Sequence, residues 1–194
     1  MNHTKIVVIT GHPDPQSYCA ALSDAYIEGA TGSRAQIRRI DLSQIQFDPN
    51  LKYGYRKRTE LEPDLIEAQQ LIRWADHLVF VYPNWWGAMP AILKGFVDRV
   101  FLSGFAYKYR ENSPLWDKLL TGKSAHLIVT MDTPPWYNRW IYKHAGHRVM
   151  KSNILNFCGI KPVRVTEIGP VKPSSEEQRT KWLDKVQRLG SKLA

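Results

Sequence analysis

The sequence predicts an α/β protein, a three-layer sandwich with helices on both faces of one five-stranded parallel sheet ordered 2-1-3-4-5. Three observations predict it. Uninterrupted apolar runs such as Lys5-Ile-Val-Val-Ile-Thr10 and Leu78-Val-Phe-Val-Tyr82 mark strands buried on both faces. Segments with helical apolar spacing alternate with these runs, as parallel strands require of their crossovers. The chain has 194 residues and 22.4 kDa, the size of one domain that buries about 70% of its unfolded surface without a metal or disulfide staple.

In chain order, strand one is Lys5 to Thr10. It ends in Gly11-His12-Pro13-Asp14-Pro15, through which no helix propagates. A helix is expected from Ser17, with Tyr18, Leu22, Ala25, Tyr26 and Gly29 on one face. Ala35 to Leu42 reads as strand two, 48–60 as a long polar loop, and Pro63 to Ala75 as a helix. Strand three is His77 to Tyr82, followed by a helix over Pro90 to Phe101, with proline in its first turn. Ser124 to Met131 is strand four. An aromatic and basic stretch then leads to a helix ending near Cys158-Gly159, and Lys161 to Ile168 is strand five. The last helix opens at Ser174-x-x-Glu177, a capping-box spacing. Such an order of elements is the flavodoxin-like arrangement, whose ligands sit outside the carboxyl ends of the strands at the switch between strands one and three. That rule selects three loops, 11–17, 83–88 and 132–137.

Composition excludes several classes. At 43% hydrophobic and 23% charged residues, the chain is not a disordered one. No apolar run approaches the ~20 residues of a membrane helix, and strand one begins without a charged-then-apolar leader, so no secretory signal is read. Cys19 and Cys158, far apart and without metal spacing, fit a reducing, cytoplasmic location. The net charge is +9, and the excess lies wholly beyond residue 97. Between Thr133 and Thr166 there is no Asp or Glu, while Arg139, Lys143, Arg148, Lys151, Lys161 and Arg164 are present. That field favours anionic partners, although a solvated helical face accounts for it equally.

Each loop has a plain and a functional reading. In the first, free N–H groups and the helix dipole suit a phosphate, with His12 and Ser17 as further donors; the plain reading has Ser17 only capping the helix. In the second, Pro83-Asn84-Trp85-Trp86-Gly87-Ala88-Met89-Pro90 places paired indoles at a strand end. They suit a flat isoalloxazine or quinone ring, or else close the sheet end or a dimer contact. The third, Asp132-Thr133-Pro134-Pro135-Trp136-Tyr137, reads foremost as a stiff Pro-Pro connection. Neither G-x-G-x-x-G nor a triphosphate-binding glycine signature occurs.

Gly11-His12-Pro13, the stretch Pro83-x-Trp85-Trp86-x-x-Met89-Pro90-Ala91-Ile92-Leu93-Lys94-Gly95-Phe96-Val97-Asp98-Arg99-Val100 and Gly104-Phe105-Ala106-Tyr107 resemble the NAD(P)H:quinone oxidoreductase family of flavodoxin-like flavoproteins, over nearly the whole chain. The resemblance implies a single flavin-binding domain over 1–194, with FAD favoured and FMN the alternative. It also implies two-electron, ping-pong exchange between NAD(P)H and a quinone-like acceptor, in a homodimer with each site at the interface. By the same motifs, His12, Gln16 and Ser17 meet the flavin phosphate region. Pro83, Asn84, Trp85, Trp86 and Gly87 hold the ring through backbone amides, and Thr133 meets the flavin. Phe105 and Tyr107 line the acceptor pocket from the partner subunit. The third loop departs from a Thr-Thr-Gly-Gly segment seen in some members, where a Tyr and a His relay charge. Tyr107, Tyr137 and His144 are the candidate catalytic residues here, with His147 a further relay candidate.

The resemblance leaves a flavin-bearing ancillary subunit of a potassium-efflux transporter as an alternative, with that membrane protein as partner. A basic nucleic-acid module is disfavoured, since no clustered Lys/Arg run occurs and the aromatics fall at strand ends. A small flavodoxin-type electron carrier fits the +9 charge poorly. No G-x-S-x-G elbow supports a hydrolase. No metal ligand set is read: His12, His126, His144 and His147 lack a ligand pattern, and His144/His147 reads as a solvated helix pair.

Overall fold

In the computed structural model, residues 4–33 and 35–192 are described. The strands are β1 (Lys5–Thr10), β2 (Gln36–Asp41), β3 (His77–Pro83), β4 (Tyr107–Tyr109), β5 (Trp116–Lys118), β6 (Ser124–Thr130) and β7 (Val163–Ile168). The helices are α1 (Tyr18–Thr31), α2 (Pro63–Trp74), α3 (Ala91–Val100), α4 (Pro135–Trp140), α5 (Ala145–Arg148) and α6 (Glu176–Ser191), with a π-helical segment at Val149–Asn156. The main sheet runs β2-β1-β3-β6-β7 and is parallel throughout. This is the expected 2-1-3-4-5 order, because β4 and β5 form a separate antiparallel hairpin.

The apolar runs become strands because every side chain in them is buried. Along β1, Val7 and Ile9 join the core beneath α2 and α3, while Ile6 and Val8 join the core beneath α1 and α6. Such two-sided burial is what an all-parallel sheet requires.

Two local expectations are corrected and one element is added. The cap of α6 is Ser175, whose hydroxyl oxygen accepts from Gln178 N–H at 3.2 Å, while Ser174 Oγ donates to the Val171 carbonyl. The region before Cys158 is two short helices and a π-helical segment rather than one helix. The β4–β5 hairpin was not read at all, since three-residue strands leave no periodicity to find.

Residues 48–60 form the expected loop, and Arg99 on α3 fastens it. Arg99 is 1% exposed. Its guanidinium donates to Glu62 Oε2 at 2.7 Å and Oε1 at 3.2 Å, to the Glu60 carbonyl at 2.8 Å, and to the Asp48 carbonyl. Burial works to raise the Glu62 carboxyl, but bonds from the Asp48 N–H and Arg99 outweigh it and hold the carboxyl below its ordinary range.

His77 opens β3 at the opposite sheet end. Its Nδ1 pairs with Ser124 Oγ at 2.8 Å and its buried Nε2 has no hydrogen-bond partner. Burial, with His126 and Arg164 nearby, pushes it down to about 4. As pH falls from about 6.5, the unfolded chain takes up a proton that the folded chain refuses, so stability declines and levels off near pH 4. The loss over that window is expected to reach about 3 kcal/mol. Chemical denaturation of the wild type and His77→Gln at neutral pH and at about pH 5 checks this, and equal slopes in the two proteins would refute it.

Candidate active site

The three loops selected by topology meet at the carboxyl rim of the sheet. Gly11 N–H donates to the Val81 carbonyl at 2.8 Å, which ties the first loop to β3. His12 Nδ1 accepts from Asp14 N–H at 3.0 Å, so its proton is on Nε2 when the ring is neutral. The imidazole packs edge-on against Trp85, with centroids 5.3 Å apart. Asp14 Oδ1 accepts from Gln16 N–H. Ser17 caps α1, its oxygen accepting from Ala20 N–H at 3.2 Å. The cap occupies a lone pair and leaves the hydroxyl proton free to donate, so both readings of Ser17 hold together.

The second loop is a two-residue turn. Trp85 N–H donates to the Ala88 carbonyl at 2.8 Å, and Ala88 N–H returns a bond to Trp85 at 3.0 Å. Between them, Trp86 sits at φ 51° and Gly87 at φ 76°, the paired left-handed conformation of a type I′ turn. For a tryptophan that conformation is strained, and the side chain is fully exposed.

This geometry narrows the five-residue amide cradle. Pro83 is buried and has no N–H. Asn84 N–H donates to the Thr130 carbonyl at 2.7 Å, and the Trp85 amide is spent on the turn. Trp86 and Gly87 are therefore the two of the five whose amides have no partner among the described residues.

Beside the turn lies a cleft of about 550 Å³, walled by Asn84, Trp86, Gly87, Thr133, Asn138 and Tyr142 and floored by Ala145-Gly146. Gly146 permits this closeness, since a Cβ there would stand 2.4 Å from the Gly87 carbonyl oxygen and 3.3 Å from Asn84 Oδ1. The stiff third loop is the start of α4, with Pro135 in its first turn. Asp132 accepts from Lys172 N–H at 2.7 Å and holds the strand ends together.

Other expected residues fall elsewhere. Phe105 is buried in the core, with the Arg73 guanidinium 5.3 Å from its ring, and is not among the residues lining the cleft. Tyr107 on β4 lines a different cavity, of about 170 Å³, with Tyr55 and Arg99. Burial first, and then Tyr109, raise its hydroxyl above the ordinary value. Tyr137 packs edge-on against Trp136 and Tyr142, and Tyr142 is the tyrosine at the cleft. Its signal in the sequence was only one aromatic among many between 136 and 142.

The solvated pair His144/His147 is overturned. His147 is 6% exposed, and both rings converge on one oxygen of Glu167, from His144 Nδ1 at 3.1 Å and His147 Nε2 at 2.8 Å. Asn138 Nδ2 reaches the same oxygen at 2.6 Å. Burial lowers the His147 pKa against the opposing pull of Glu167. Glu167 was missed, although it is the first acid after the long acid-free stretch and stands in a strand with buried ends.

A family model described as a flavodoxin-like fold matches residues 4–190. The chain belongs to that flavodoxin-like family. Within it, the chain is 34% identical over 152 residues to the ribosyldihydronicotinamide dehydrogenase-like protein traD of Penicillium crustosum, covering 66% of this chain and 57% of that protein. It is 26% identical over 216 residues to ribosyldihydronicotinamide dehydrogenase [quinone] of Rattus norvegicus, covering 96% of this chain and 91% of the relative. Among solved structures, Smu.1420 of Streptococcus mutans UA159 superposes with a TM-score of 0.83 at 32% identity, over 97% of this chain and 100% of the other.

Proposed function

We propose that this flavodoxin-like protein is an NAD(P)H-dependent flavoprotein oxidoreductase that reduces quinones or similar acceptors two electrons at a time. The observation that carries the reading is the Trp86-Gly87 turn. Two amides without a partner among the described residues and one strained, solvent-facing indole border a cleft at the carboxyl rim of a parallel sheet. The name of the rat relative, a quinone dehydrogenase aligned along nearly its whole length, supports the same class. Donors at this turn fit the polar edge of an isoalloxazine, and the α1 N-terminus with Ser17 and His12 fits a ribityl phosphate. A flavin bound there would supply the two-electron chemistry between NAD(P)H and the acceptor.

The chain's own groups do the rest. The Trp86 and Gly87 amides stabilise negative charge at the cleft, as fixed donors do for any developing anion. Gln16 and Thr133 would border the flavin, and Tyr142, which lines the cleft, is the proton donor in place of Tyr137. The basic stretch 139–164 draws the phosphates of the nicotinamide nucleotide. Tyr107 reaches the acceptor only from a partner subunit, so the reading requires a homodimer. Trp85, Trp136, Trp140, Ile141 and Tyr142 are all exposed around the cleft, the kind of apolar patch that marks an interface. Buried, unpaired Cys19 and Cys158, whose thiols burial pushes up to about 11 and about 12, suit a reducing cytoplasm.

The purified protein is expected to be yellow, to be bleached anaerobically by NADPH or NADH, and to regain colour with a quinone under ping-pong kinetics. Mass measurement of the released cofactor distinguishes FAD, which the motif resemblance favours, from FMN. A folded, colourless protein that takes up neither flavin would refute the proposal. Sedimentation equilibrium is expected to give twice the chain mass, and a monomer at micromolar concentration would remove Tyr107 from the site.

A further inference from the structure

The cluster beside the cleft is more than a hydrogen-bond network. One carboxylate oxygen offers two lone pairs, yet three nitrogens crowd Glu167 Oε1, those of Asn138, His144 and His147 at 2.6, 3.1 and 2.8 Å. Asn138 Nδ2 also lies 3.4 Å from His144 Nδ1 and 3.2 Å from His147 Nε2. If all three nitrogens carry protons they exceed the lone pairs available; if an imidazole nitrogen is bare, its lone pair faces that of the carboxylate and is relieved only by the second Asn138 N–H, at 3.2 or 3.4 Å. A cation between the rings and the carboxylate resolves both conditions.

We propose that His144, His147 and Glu167 bind a divalent transition-metal ion of the zinc type, with Asn138 orienting the carboxylate. The three donor atoms all lie within 4.8 Å of one another. The imidazole-to-carboxylate distances of 3.1 and 2.8 Å are close to the roughly 3.3 Å edge of a tetrahedron with bonds of about 2.05 Å. Two imidazoles and one carboxylate are a donor set suited to zinc or copper rather than magnesium or calcium. The Asn138 N–H bond to Glu167 is the outer support that ligating carboxylates carry. His144 is held at φ 53° and ψ 37°, directly after Lys143 at φ 50°, and two successive left-handed non-glycine residues are a cost that aiming a ligand explains.

The fourth position opens on a cavity of about 370 Å³ lined by Arg148, Lys151 and Val165 besides the three ligands. The two cations oppose a bare metal ion and favour an anionic fourth ligand, such as hydroxide, chloride or a substrate oxyanion. No ligand pattern is visible along the chain because the carboxylate lies 20 residues beyond His147, on the next strand.

The test is titration of the purified, flavin-bearing chain with Co²⁺ and Zn²⁺, its flavin content being recorded separately so that failure here and failure of the flavin reading are told apart. One Co²⁺ per chain is expected, with the visible bands of a four-coordinate ion that Zn²⁺ displaces, while Mg²⁺ has no effect. Asn138→Ala is expected to weaken Zn²⁺ binding roughly 10–100-fold, and Glu167→Gln more than that. Because His147 is buried, the ligand-loss variant that keeps the fold is His144→Gly, which suits the left-handed backbone and is checked by circular dichroism. Absence of stoichiometric Co²⁺ binding by the wild type, or affinity unchanged in His144→Gly and Glu167→Gln, would overturn the proposal.

Discussion

Trp86→Gly is expected to weaken flavin binding by about tenfold or more while leaving the fold as stable as before or more so. An indole against a flat conjugated ring contributes about 1–3 kcal/mol, and glycine removes it. The fold loses nothing in exchange, because Trp86 is fully exposed and sits at φ 51°. Relief of left-handed strain, about 1–3 kcal/mol, offsets the added freedom of glycine in the unfolded chain, about 0.5–1 kcal/mol. The melting temperature of the flavin-free protein should hold or rise by up to about 6 °C, while fluorescence titration with FAD and FMN reports the lost affinity. Full flavin retention in this variant would remove the ring from the turn. A side chain that costs stability where it stands and touches little of its own protein is placed for something other than folding.

The largest expected loss of stability comes from Arg99→Ala. Its guanidinium gathers the carboxylate of Glu62 and the carbonyls of Glu60 and Asp48 in a site 1% exposed. Removing one partner of a buried pair costs about 3–5 kcal/mol, here tempered by the partial exposure of Glu62, so a fall of roughly 10 °C in Tm is expected. Tryptic cleavage in the 48–60 loop, at Arg56, Lys57 or Arg58, should accelerate with it. Arg99→Lys should recover less than half of the loss, since one ammonium cannot span the same acceptors. A Tm within a degree or two of the wild type in Arg99→Ala would mean that the loop is held by its apolar contacts instead.

The sheet was legible because strands buried on both faces cannot tolerate polar residues, and β1, β3 and β6 carry almost none between their ends. The switch-point rule then located the three loops without any motif. What lay hidden was set by contacts across long sequence gaps. Nothing near Asn84 signals that its amide is taken by Thr130, on another strand, and the Trp85 amide is spent locally on the turn to Ala88, so fewer amides are left than the motif implies. Phe105, which the motif places at a pocket shared with a partner, packs in this protomer among core residues distant in sequence. The His144/His147 spacing reads as a solvent-facing pair on any helix, and only the packing of β7 beneath it brings Glu167 to both rings.

The meeting of Gly146 with Gly87 leaves the turn no slack. With an oxygen standing where a methyl group would go, even alanine at 146 acts as a shim, lifting α5 off the rim or tipping the indole out of line. The aperture of the cleft is thus gauged by one missing carbon atom, on the helix that forms its floor.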